Sequence, residues 1–194
     1  MVVVLLAAVC SWLLLRGLIP QLRSKLLDHP NARSSHHLPT PRAGGVAFVV
    51  LASTSSGIAL LSGQGSAIAV LPLLAAPLAV VGILDDFHDL PSSWRYGAQL
   101  LTAALILVFG LPVQGLGLSI TSRSWLFWPV LALLLIAVTA VINFINFMDG
   151  LDGLVAGCMA VAISALAFQL SAPWPLWTLV GALLGFLLWN WSPA

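Results

Sequence analysis

The sequence predicts an all-α fold, a polytopic transmembrane helix bundle of about seven spans, and three observations carry that expectation. Hydrophobic residues make up 60% of the chain and charged residues only 7%, against about 45–50% and 25% in soluble domains. Apolar runs recur along the whole chain at roughly the 17–25 residues that a helix needs to cross a hydrocarbon core about 30 Å thick. The runs are continuously apolar rather than alternating, which excludes a transmembrane barrel.

The spans are expected at Val2–Ile19, Gly45–Leu61, Ala67–Leu84, Tyr96–Leu111, Trp125–Ile142, Leu154–Leu170 and Pro175–Trp189. The first lacks a basic leading segment and a small-residue cleavage site before Arg16, so it reads as a retained span and not a secretory signal. Arg23, Lys25, Arg33 and Arg42 crowd the loop that follows, which makes that loop cytoplasmic and the N-terminus external. Strict alternation then places 85–95, 143–153 and 190–194 inside, and 112–124 and the Pro173 turn outside. All six acidic residues, Asp28, Asp85, Asp86, Asp89, Asp149 and Asp152, fall on the cytoplasmic side, although the topology rests on the basic residues alone. Seven tryptophans, from Trp94 to Trp191, sit near run boundaries, where indole suits the interface. Cys10 and Cys158 lie in separate apolar runs and read as small buried hydrophobes. No internal repeat or linker divides the chain, so residues 1–194 form one membrane domain.

Three polar segments interrupt this pattern. The first runs from Asp28 through Arg33, His36, His37, Pro41 and Arg42 to Gly44-Gly45. It reads either as a plain basic linker, which composition favours, or as an ordered loop whose arginines offer donors to anions. The second is Asp85-Asp86-Phe-His88-Asp89-Leu-Pro91. Adjacent carboxylates raise each other's pKa unless a cation compensates, and Mg²⁺ takes hard oxygen ligands of this kind. A purely structural helix end would favour Lys or Arg, because negative charge at a C-terminus opposes the macrodipole.

The third is Asn143-Phe-Ile-Asn146-Phe-Met-Asp149-Gly-Leu-Asp152-Gly153, in which polar groups recur every third residue of an apolar run. On a helix they form a slowly drifting stripe, and Gly150 and Gly153 loosen or end the helix. Two amides followed by two carboxylates suit a nucleotide, a sugar, a proton or a metal; interhelical polar contacts are the competing account. Together the segments describe a cytoplasm-facing pocket of carboxylates, arginines and histidines with no nucleophilic hydroxyl or thiol. Mg²⁺-assisted phosphoryl transfer, in which positioning and charge neutralisation do most of the catalysis, matches that inventory.

In order and spacing the three segments resemble the polyprenyl-phosphate N-acetylhexosamine-1-phosphate transferases of glycosyl transferase family 4. These include the enzymes that initiate O-antigen, enterobacterial common antigen and teichoic acid synthesis, and the phospho-muramoyl-pentapeptide transferase. The resemblance implies transfer of a HexNAc-1-phosphate from a UDP-sugar to undecaprenyl phosphate, releasing UMP, in cell-envelope polysaccharide biosynthesis at the inner (plasma) membrane. Its implied partners are UDP-N-acetylhexosamine, the lipid phosphate and the bilayer, with no nucleic acid and with a homodimer as an open assembly state.

By the same resemblance Asp85 and Asp86 stand at the reaction centre, as base or as ligands of Mg²⁺, with Mn²⁺ as the alternative ion. Asn143, Asn146, Asp149 and Asp152 match the stretch that recognises the nucleotide sugar, and Arg33, His36 and Arg42 would line the pyrophosphate side. Family members continue with further spans, a metal-binding Asp segment and a His-rich loop beyond the point where this chain ends at Asn190-Trp-Ser-Pro-Ala194. The chain is therefore expected to be the N-terminal portion of a longer domain. The competing function is a membrane transporter, since intramembrane carboxylates often mark ion paths. Transport sites lie near the midplane between repeated halves, whereas these carboxylates gather at one surface.

Overall fold

The computed structural model describes residues 1–25, 27–28, 40–41, 43–110 and 127–191, with backbone only at 23–25, 27–28, 40–41, 110 and 127. Eight α-helices lie among them: α1 (Val2–Lys25), α2 (Val46–Leu61), α3 (Leu71–Leu74), α4 (Ala76–His88), α5 (Ser92–Leu105), α6 (Phe127–Met148), α7 (Leu154–Gln169) and α8 (Trp174–Leu187). A π-helical turn, Ile106–Gly110, extends α5. Two short strands, Leu27–Asp28 (β1) and Thr40–Pro41 (β2), pair antiparallel and draw the ends of the first loop together.

The bundle is organised around α8, which packs against α1 most extensively and also against α2 and α7. The approach is close because Gly181 and Gly185 face the carbonyl oxygens of Val4 and Ala8 directly. A Cβ at Gly181 would stand 2.9 Å from Ala7 Cβ, and one at Gly185 would stand 2.9 Å from Ser11 Cβ. Small residues four apart let backbones meet in this way, and dispersion contacts rather than hydrophobic exclusion then hold helices together in lipid. Corresponding positions rise together along both helices, so α1 and α8 run parallel. Beyond the glycines, Trp12 stacks on Trp189 with ring centroids 5.9 Å apart, and Trp189 Nε1 donates to the Trp12 carbonyl at 3.3 Å.

Helices α4 and α5 form a tight hairpin that joins the α8 group through α2 and α3, and α6 leans on α5 and α7. Large apolar side chains such as Leu133, Ile136, Phe147 and Phe168 point outward, as expected where the surrounding medium is hydrocarbon. Val2–Leu22 and Trp128–Met148 are long and apolar enough to cross a membrane, and Val46–Leu61, Leu154–Gln169 and Trp174–Leu187 are shorter apolar helices.

The structure corrects three expectations. Ala67–Leu84 is not one continuous span: a turn and the four residues of α3 precede a break at Ala75, with Pro72 and Pro77 each near the start of the helix that follows. Proline lacks the N–H that would carry the helix ladder across these positions. Helix α1 runs past Ile19 and through Pro20 to Lys25, so its basic residues extend a helix instead of opening a loop. Cys10 and Cys158 are exposed rather than buried; each lies on the outward face of its helix, where a small apolar thiol is at home in lipid.

The glycine contact makes a test. Gly185→Leu should separate α1 from α8 and lower the unfolding midpoint in detergent by the equivalent of about 3 kcal/mol or more, the upper end of ordinary overpacking costs. Gly57→Ala, whose added Cβ meets nothing within 4 Å, should be neutral or slightly stabilising, as alanine generally is in a helix.

Candidate functional site

The ends of α4, α6 and α8 gather at one pole of the molecule, and the polar residues of the second and third segments lie there. Asp85 and Asp86 occupy the last turn of α4, half-buried. Asp85 is fully engaged. Its Oδ1 accepts the backbone N–H of Leu90 at 2.9 Å, and its Oδ2 lies 3.6 Å from Arg95 on α5. The chain then turns sharply through Asp89, whose φ of 47° is left-handed, a conformation that aspartate tolerates better than most residues. His88 Nδ1 lies 3.2 Å from the Leu84 carbonyl.

One residue on, about 100° further round the helix, Asp86 acts in a different direction. Burial and then the charge of Asp86 push the Asp149 carboxyl above its ordinary 3.8. Asp149 retains accessible surface, yet the surrounding chain removes enough water for both effects to be felt. The structure therefore brings Asp86 and Asp149 within electrostatic range and assigns Asp85 to a separate contact.

The third segment divides in the same way. Asn143, on α6, exchanges two hydrogen bonds with Gln99 of α5: Asn143 Nδ2 donates to Gln99 Oε1 at 2.8 Å and Gln99 Nε2 donates to Asn143 Oδ1 at 3.3 Å. Asn143 Nδ2 also donates to the Thr139 carbonyl at 2.9 Å. Asn146 is exposed, and its carbonyl accepts the Asp149 N–H at 3.4 Å as α6 ends. Asp152 is half-buried in the turn that leads into α7. Gly153 closes that turn at φ 71°. Its N–H is accepted by Asn190 Oδ1 at 3.0 Å, and an added Cβ would press on Leu187 Cδ1 at 3.3 Å. The end of α8 thus fixes the Asp149–Asp152 turn.

Arg33, His36 and Arg42 lie outside the described residues. Among the described residues no group of three metal-ligating side chains converges. Arg95, Gln99 and Asn190 hold the site together and were not singled out by the sequence pattern. Arg95 could have been found as the one cation within ten residues of the aspartate pair, and Gln99 as an amide one turn deeper in an apolar run.

An apolar cleft of about 660 Å³ runs between α4 and α5, lined by Pro77, Val80, Val81, Gly97, Ala98 and Leu101, with Ser93 and Trp94 at the end next to Arg95. It runs from the Arg95 end along the outer side of the α4–α5 hairpin, with Val80, Trp94 and Leu101 exposed on its walls.

Residues 68–194 match the family model described as glycosyl transferase family 4. The chain is also 29% identical, over 205 aligned positions, to a probable undecaprenyl-phosphate N-acetylglucosaminyl 1-phosphate transferase of Bacillus subtilis (strain 168). That alignment covers 100% of this chain and 56% of the relative, so the chain spans about half of the relative's length.

The raised carboxyl sets a pH dependence. Below about pH 3.8 Asp149 is protonated whether the chain is folded or not. As pH rises through that value the unfolded chain ionises first, and the folded state loses stability until its own higher pKa is passed. Asp149→Asn should therefore raise the thermal unfolding midpoint at pH 7, with the gain vanishing near pH 3. A lower midpoint at pH 7 would mean that the Asp149 charge stabilises the fold.

Proposed function

The chain belongs to glycosyl transferase family 4, and we propose that its charged pole is the part of a multi-pass inner-membrane enzyme that moves a HexNAc-1-phosphate from a UDP-sugar to undecaprenyl phosphate. The observation that carries this reading is the gathering of Asp85 and Asp86, in the last turn of α4, and Asp149, just past the end of α6, at one pole beside Arg95, close enough for the Asp86 charge to add to burial in raising the Asp149 carboxyl. Carboxylates gathered where an apolar cleft begins suit a charged reaction on a lipid. The printed description of the Bacillus relative, an undecaprenyl-phosphate N-acetylglucosaminyl 1-phosphate transferase, supports the same substrate classes.

In this reaction an oxygen of the lipid phosphate attacks the β-phosphorus of the UDP-sugar. The bond from that phosphorus to the oxygen bridging it to the uridine phosphate breaks, and UMP leaves with that oxygen. The product is a lipid-linked sugar diphosphate. The second ionisation of a phosphate monoester lies near 6, so the attacking group needs only a weak base to lose its last proton, and Asp86 takes that role in this reading. Arg95, held beside Asp85, keeps positive charge at the head of the cleft.

Mg²⁺ fits this donor set, because an ion that takes one or two carboxylates with phosphate oxygens would relieve the repulsion between Asp86 and Asp149. Asp85 and Asp86 are the expected ligands, and Asp85 also accepts the Leu90 N–H and pairs with Arg95. When bound, the ion neutralises charge on the transferring phosphoryl group. Asn146, Asp149 and Asp152 offer the acceptors for the nucleotide sugar, and the α4–α5 cleft takes the first isoprene units of the lipid, whose phosphate then lies beside Arg95.

The test is transfer of radiolabel from UDP-GlcNAc, and in turn from other UDP-HexNAc sugars, to undecaprenyl phosphate by membranes carrying the full-length protein with Mg²⁺. Labelled lipid is the expected product. Asp86→Asn and Asp149→Asn should each lower turnover by about 10²–10⁴-fold, the range seen when a positioned acid–base group is removed. Wild-type rates in both variants would sink the site assignment.

The cleft is tested separately. Gly97 lines it, and a Cβ there meets nothing within 4 Å, so Gly97→Phe fills the space without disturbing the fold. It should raise KM for the lipid phosphate about tenfold, the equivalent of roughly two displaced CH₂ contacts at about 0.8 kcal/mol each. KM for the UDP-sugar should stay unchanged.

A further inference from the structure

Helix α5 carries no carboxylate, yet it touches α4, which carries Asp85 and Asp86, and α6, which leads into Asp149. Arg95 reaches Asp85 on α4. One turn along the same helix, Gln99 reaches Asn143 on α6. Gln99 is 6% exposed, so its amide is out of reach of bulk solvent and its hydrogen bonds are not exchanged freely for water. Burying an amide without partners is costly, which makes the reciprocal pair a strong constraint on how α5 and α6 can rotate or slide.

The bonding of Asn143 sharpens the point. An amide nitrogen has two N–H groups, and both are used, one on Gln99 Oε1 and one on the Thr139 carbonyl. Asn143 therefore has no donor left for a sugar or a nucleotide. Its regular spacing with Asn146, Asp149 and Asp152 marks the helix face, while its bonding marks it as the anchor of that face. A turn further into the bundle, Thr102 on α5 and Thr139 on α6 keep buried hydroxyls with no hydrogen-bond partner among the described residues, so the seam stays polar beyond the amide pair.

We propose that Gln99 is a positioning residue: its two-bond clamp on Asn143 fixes the depth and rotation of α6 against α5, and so sets the distance between the α4 carboxylates and the Asn146–Asp152 stretch. The inference rests on the reading of the charged pole as the site of transfer. Gln99 itself touches no reacting atom. Its effect is on alignment, and misplacement of about 1 Å can cost a reaction about 10²-fold.

The experiment uses the full-length protein in detergent, with two readouts. The first is kcat and KM for the UDP-HexNAc and for undecaprenyl phosphate. Gln99→Leu, which keeps the size and removes both bonds, should lower kcat by about 10–100-fold and leave both KM values within about threefold. Gln99→Asn should also lose kcat, and adding Asn143→Gln should restore most of it, because the exchanged pair has the same combined length. A residue that served only general stability would not show rescue of this kind.

The second readout is the distance between spin labels on Leu84→Cys of α4 and Phe144→Cys of α6, both exposed positions, in a background with Cys10 and Cys158 replaced by Ser. The distribution should shift or broaden in Gln99→Leu and narrow again in the exchanged pair. An unchanged label distance in Gln99→Leu overturns the proposal, whatever happens to activity. So does wild-type kcat in that variant. Should Gln99→Leu fail to fold, Gln99→Glu, which keeps the acceptor and removes the donor, decides by the same two criteria. If the wild type transfers no HexNAc from any UDP-sugar while the labels respond as expected, the clamp stands and the proposed reaction fails.

Discussion

Gly181 and Gly185 put the backbones of α8 and α1 in direct contact, and the polar pole depends on that contact. In lipid there is little hydrophobic gain from pressing two apolar helices together, so close packing and a few polar bonds must supply the affinity. The glycines bring α1 near enough for Trp12 to stack on Trp189 and accept its indole N–H. The end of α8 is thereby fixed, and Asn190, next in the chain, accepts the Gly153 N–H at the start of α7. A packing contact deep in the bundle thus sets where the Asp149–Asp152 turn lies.

The charged pole is built against local stability. Asp85 lies where the α4 macrodipole disfavours negative charge, and its hydrogen bond from Leu90 and its pairing with Arg95 offset that. At Asp149, burial and then the Asp86 charge act against the ionised form. Perturbed carboxyls of this kind are enriched at functional sites, which accords with the proposed reading of the pole. They are harder to explain in a bundle that needs only to hold its helices together.

The sequence makes the helical class plain, because continuous apolar runs in a chain with 7% charge leave few other folds. It is less informative about continuity. Pro72 and Pro77 lie inside an apolar run, and hydropathy does not register that each starts a new helix, Pro77 after the break at Ala75. Pro20, by contrast, is accommodated inside α1. At the site, the aspartates and the three-residue rhythm of the third segment are legible as composition at a boundary. The separate fates of Asp85 and Asp86, and the pairing of Asn143 with Gln99, depend on the rotation of each helix against its neighbours. Residues 44 apart in the chain meet there, and no local pattern encodes that meeting.

The two adjacent aspartates of α4 can serve two neighbours because consecutive helical side chains diverge by about 100°. Asp85 turns toward α5 and is held by Arg95; Asp86 bears on the end of α6. Were Asp85 alone present, α4 would be anchored but its charge would be spent on the anchor. The pair divides its contacts between two neighbours, and α5 does the same one layer on, since Arg95 and Gln99, one turn apart, bond to α4 and α6 respectively. The aspartates at the two helix ends are therefore set against each other by a helix that contributes no carboxylate of its own. On the proposed clamp, an uncharged residue within an apolar run, Gln99, would bear on the charged pole through its bonds to Asn143.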